Sequence, residues 1–94
     1  MARPSDQYQR LLHEGLRPTR WSNDPDAVYG EHEHPYGKIL VVASGRITVT
    51  INRGERVVTL KRGDRLELPP HTPHSAVVGA EGVVCLEAHV RGKR

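Results

Sequence analysis

From Leu16 to Val90 turn-forming residues cut the chain into runs of no more than eight residues, rich in Val, Ile, Leu and Thr, and this punctuation admits strands but no long helix. The spacing predicts strands at residues 16–22, 27–30, 38–43, 46–52, 56–60, 65–68, 74–78 and 83–90. Turn signals separate them, among them Asn23 to Asp26, Ser44-Gly45, Asn52 to Glu55, Arg62 to Asp64, Pro69-Pro70 and Gly79 to Gly82. In 46–52 the apolar Ile47, Val49 and Ile51 alternate with Arg46, Thr48 and Thr50, so one face is buried and the other is wet. In 38–43 the run Ile39, Leu40, Val41, Val42 is continuous, which marks a strand covered on both sides. Short antiparallel strands in this number make a sandwich or a barrel, and nothing resembles a βαβ unit. The one expected helix precedes them: Ser5 or Asp6 can cap it, Tyr8, Leu11 and Leu12 share a face, and Gly15 can close it.

Ninety-four residues suit one domain with a modest core. So short a chain leaves much of its surface wet, and burying apolar groups between two copies is a common remedy, so a homodimer is expected. No run approaches the roughly 18 to 20 apolar residues of a membrane span. The polar residues 1–10 do not resemble a signal peptide, and the cytoplasm is the expected address. Cys85 is the only cysteine, which excludes a disulfide within the chain.

The formal charge of +3 comes entirely from Arg91, Lys93 and Arg94, because the remaining residues carry eleven basic and eleven acidic side chains. A tail this short reads as a solubilising end. With no Phe, and with three Tyr and one Trp that do not interleave with basic residues, the chain lacks a base-stacking surface, so no nucleic-acid partner is expected.

The residues that carry chemistry are the histidines. His32 and His34 lie two apart, so in an extended segment both rings project to one face and can converge on one point. Neutral imidazole suits Zn, Cu, Fe and Ni, and a third ring from another strand would complete a metal site with an open position. His71 and His74 are the candidates, held in the rigid setting Pro69-Pro70-His71-Thr72-Pro73-His74.

These residues resemble the two motifs of the cupin superfamily. In the first, His32 and His34 are followed after three residues by Lys38, where the family carries a glutamate, and after six more by Gly45. In the second, Gly63, five residues and Pro69 match, His71 stands in a glycine position, and His74 falls on the histidine. The resemblance implies an all-β, double-stranded β-helix (jelly-roll) barrel with a short N-terminal helix. It divides one domain of residues 1–94 into a helical segment 1–15, a barrel 16–90 and a basic tail 91–94. It also implies a divalent transition metal (Ni, Zn, Fe, Mn or Cu) on His32, His34 and His74, with the fourth, carboxylate ligand replaced by Lys38. The asparagine that often follows the second motif is absent, since Val78 stands there.

Lys38 conflicts with such a metal. At about 4 Å and an effective dielectric of 20, each pair of unit charges repels by about 4 kcal/mol. Either the lysine turns away, or it loses its proton, or the metal is absent and its ammonium holds an anion. A lysine there can also act as an amine nucleophile, or simply pair with Glu31, Glu33 or Glu67. Other candidate ligand-binding residues are His71, Tyr36 at the mouth, and Glu87 and His89, which share a face of the last strand with Cys85. The expected function is a small cupin barrel holding a metal and a small polar molecule, with any reaction and substrate left open. The alternatives are a metal-free sensor in which Lys38 and the histidines hold an anionic ligand, and an interaction module.

Overall fold

A computed structural model describes the backbone of residues 4–90 and the side chains from Asp6 to Val90. The expected basic tail 91–94 lies outside the described residues. Helix α1 spans Pro4–His13, so Ser5 and Asp6 lie within it and do not precede it. Proline suits the first helical turn, where its missing N–H costs nothing. The helix ends in a Schellman turn: Leu16 N–H donates to the Leu11 carbonyl and Gly15 N–H to that of Leu12, with Gly15 at φ 83°.

Among the described residues six strands follow: β1 Thr19–Asn23, β2 Val28–His32, β3 Gly37–Ile51, β4 Arg56–Lys61, β5 Arg65–Leu68 and β6 His74–Val90. Two of them are long and bent, and each merges two expected strands. The first half of β3 pairs with β5 on one side and with the second half of β6 on the other, and β1 extends that sheet. The second half of β3 pairs with β4 and with the first half of β6, which in turn pairs with β2. Eight strand segments thus form two four-stranded antiparallel layers joined through β3 and β6.

The expected turn at Ser44-Gly45 is a bend within β3, where the register with β6 shifts on either side of Ser44↔Val84 and Gly45↔Val83. Gly45 adopts φ 80°, and a Cβ there would drive into the carbonyl of Gly82. The stretch from Gly79 to Gly82, also expected as a turn, is the matching bend of β6. β6 passes so close to Gly45 that β3 can carry no side chain there, while a Cβ on Gly82 would meet the Asn23 carbonyl at the end of β1 instead.

Alternation decides what each face meets. Leu40, Val42, Ile47, Val49 and Ile51 of β3 point between the layers and pack with Leu60, Leu66, Leu68, Val78, Val83 and Cys85 in one core. Ile39 and Val41 point outward and are covered with Leu86 by Leu11 of α1, with Tyr8 and Leu16 at the edge. Hence the continuous apolar run in β3: one side belongs to the barrel and the other to the helix. A fork of two 2.8 Å hydrogen bonds from Arg65 of β5 to Glu14 ties the end of α1 to the same sheet.

Candidate metal centre

His32 ends β2 and lies opposite His74, the first residue of β6. His34 stands beyond the end of β2, in the connection to β3, and its carbonyl accepts a 2.7 Å bond from the His71 N–H in the turn before β6. This bond joins the segments that carry the two motifs. The ring centroids are 4.3 Å apart for His32 and His74, 4.9 Å for His32 and His34 and 5.6 Å for His34 and His74. One candidate ligand nitrogen from each ring lies within 4.8 Å of the others.

Backbone carbonyls fix which nitrogen is free. His32 Nδ1 lies 2.8 Å from the Gly30 carbonyl, and His74 Nδ1 lies 2.8 Å from that of Thr72. A carbonyl can only accept, so both Nδ1 atoms carry a proton, and in the neutral ring it is then Nε2 that presents the lone pair. His74 Nε2 is buried without a hydrogen-bond partner among the described residues. An unpaired buried acceptor costs about 1–3 kcal/mol, and it is the atom through which such a ring would bind a metal. Burial, foremost, pushes His74 below its ordinary pKa against the opposing pull of its bond to Thr72. Burial and then the nearby Lys38 charge push His34 down. Both shifts favour the neutral, ligating form.

His32 and His74 border a cavity of about 190 Å³ between the layers, lined also by Trp21, Tyr29, Lys38, Leu40, Ile47, Val49, Leu68, Ala76 and Glu87. Lys38 does pair with a carboxylate, but with Glu87 at 3.2 Å, each side chain only 16% exposed. The three partners suggested by the sequence are engaged elsewhere: Glu31 with Arg53, Glu33 with His71 and Glu67 with Arg65. Glu87 also accepts a 2.9 Å bond from Trp21 Nε1–H, and its other oxygen lies 3.4 Å from His89 Nε2.

The remaining candidates do not line this cavity. His71 faces solvent, its side chain 68% exposed, with Nδ1 3.6 Å from Glu33. It stands at φ 59°, a left-handed conformation that explains the family's glycine there and that histidine tolerates better than most residues. Tyr36 lies stacked between His34, at 4.9 Å, and His89, at 4.0 Å. His89 borders an outer groove instead, together with Arg17, Thr19 and one side of Glu87. The sequence reading missed Trp21 and Tyr29, whose rings meet edge to face at 6.3 Å in the cavity wall. The available signal was the alternation in β1, which puts Trp21 on the face shared with Cys85, its partner in β6.

Residues 19–88 match the family model for the cupin domain. The chain belongs to the cupin family. This cupin also resembles solved structures, among them a chain from the DMSP lyases RdDddP and RnDddQII (28% identity, TM-score 0.73), covering 82% of this chain and 38% of that one. KdgF from Halomonas sp. matches at 28% identity and TM-score 0.68, covering 83% of this cupin and 71% of KdgF. Oxalate decarboxylase of Bacillus subtilis, studied for its Mn(II) centres, shares the fold at 23% identity and TM-score 0.72, over 84% of this chain and 22% of that one. No curated protein matches. The cupin described here therefore spans well under half of the lyase chain.

Proposed function

We propose that this cupin holds a divalent transition metal (Ni, Zn, Fe, Mn or Cu) on His32, His34 and His74 and receives a small molecule in the adjoining cavity. The observation that carries this reading is the buried, unpartnered Nε2 of His74, set among imidazoles whose tautomers are fixed by backbone carbonyls. The donor set fits the group: three neutral imidazoles with an open position suit a catalytic metal. When bound, such a metal supplies Lewis acidity. The chain itself contributes orientation and apolar walls. Gly30 and Thr72 hold two rings in place, Leu40, Ile47, Val49 and Leu68 line the cavity with apolar surface, and Glu87 holds Lys38 by its ammonium.

The metal-free alternative is less well supported, because the ammonium it needs for an anion is already engaged by Glu87. The same reading includes one domain over residues 1–94, a cytoplasmic address and a homodimer without nucleic acid or membrane. In favour of the dimer, Val28 and Val77, neighbours across β2 and β6, are exposed, as is Val57. Among the described residues no helix is long and apolar enough to cross a membrane.

Elemental analysis of protein purified without an affinity tag tests the metal. Near-stoichiometric metal, lost in His32→Ala and His74→Ala, is expected. Metal retained by both variants would overturn the ligand assignment.

A further inference from the structure

The Lys38–Glu87 pair sets the charge of the cavity, and through it the class of molecule the cavity can receive. This inference rests on the three-histidine metal site proposed above. Among the described residues Lys38 and Glu87 are the cation and the carboxylate that line the cavity, and at 3.2 Å they cancel. Imidazole ligands are neutral. A divalent ion on three histidines therefore brings its whole charge into a space walled by Trp21, Leu40, Ile47, Val49 and Leu68. Charge beside apolar walls attracts a counter-charge far more strongly than it does in water. Had Lys38 been a carboxylate, the protein itself would answer that charge. The cavity of about 190 Å³ has room for about six waters at roughly 30 Å³ each, so the part of an occupant that lies inside it must be short.

We propose that the metal-loaded cavity binds a small carboxylate with a short aliphatic body, and that Lys38 determines this specificity by neutralising Glu87. The carboxylate answers the charge left uncompensated, and the aliphatic body covers the apolar walls. Binding of anion and metal is then reciprocal: each tightens the other.

The test titrates zinc into the wild type, Lys38→Met, Lys38→Glu and Glu87→Gln, and then propionate into each loaded protein by calorimetry, with propionamide as the neutral isostere. Lys38→Met removes the ammonium that offsets the Glu87 charge, and Lys38→Glu adds a second carboxylate. Propionate affinity should fall at least about tenfold at each of these steps while zinc affinity rises. Glu87→Gln frees the lysine charge, so propionate should bind more tightly and zinc more weakly, a gain that misfolding cannot imitate. Propionamide should bind weakly and equally throughout. Equal propionate affinity across the series, or propionate no tighter than propionamide, would overturn the proposal while leaving the metal site standing. A wild type that takes up no zinc would overturn both.

Discussion

Lys38 Nζ lies 3.2 Å from Glu87 Oε1 inside the barrel, a diagonal contact between strands in which Leu40, not Lys38, is the register partner of Glu87. Glu87 is held in addition by Trp21 Nε1–H, so the carboxylate stays fixed if the lysine is removed. The pair is largely but not wholly shielded, and its coupling should fall below that of a fully buried ion pair. A double-mutant cycle with Lys38→Met and Glu87→Gln should give a coupling of about 1–3 kcal/mol in chemical denaturation of the metal-free protein. Additive single effects would mean that the two side chains do not interact in solution.

Gly45 and Gly54 separate two effects that positive φ usually mixes. Both adopt left-handed backbone, at 80° and 99°, but a Cβ at Gly45 meets Gly82 whereas one at Gly54 meets nothing within 4 Å. Gly54→Ala should cost only the strain of the conformation, about 1–2 kcal/mol. Gly45→Ala should cost more than about 3 kcal/mol or prevent folding, because the two long strands must part at their crossing. Equal midpoints in urea would contradict this account of the corner.

The Glu14–Arg65 fork gives the helix contact a pH dependence. The side-chain bond to Arg65 holds the Glu14 carboxyl below its ordinary 4.5. A carboxyl lowered on folding stabilises fully above its unfolded value, and that stability is lost as pH falls through the folded value. Acid unfolding of the wild type should therefore steepen below pH 4.5, and Glu14→Gln should be less stable at neutral pH yet lose less on acidification. Parallel acid-unfolding curves for the two proteins would show that the fork carries no linkage.

Cys85 lies in the core, and burial, with the Glu87 carboxylate adding to it, pushes its thiol up to about 12. Thiolate is the reactive form, so the native protein should resist thiol reagents at pH 8 and label only as fast as it opens. Labelling should become rapid and stoichiometric in denaturant. Rapid labelling of the native protein would place Cys85 outside the core.

The strand segments were legible in the sequence because alternation and turn residues are local signals. Their joining was not. Ser44-Gly45 and Gly79 to Gly82 read as turns, yet Ser44↔Val84 and Gly45↔Val83 remain paired, so the strands bend at these points and run on. A glycine that permits a turn equally permits a close crossing, and only the partner strand decides which. The convergence of His32, His34 and His74 was legible from the spacing of the two motifs, although the strand expected over 27–30 runs on to His32 and leaves His34 in the connection to β3. The partner of Lys38 was not legible. Glu31, Glu33 and Glu67 are nearer in the chain, but Glu87 is brought beside it by the pairing of β3 with β6, a contact between distant parts of the sequence.

The account turns on whether a metal sits among His32, His34 and His74. Crystals of metal-loaded protein, with data collected above and below the absorption edge of that metal, measure this directly. The account predicts one anomalous peak, about 2.1 Å from a nitrogen of each of the three rings. A peak on solvent-facing His71, or none beside the three rings, would contradict it.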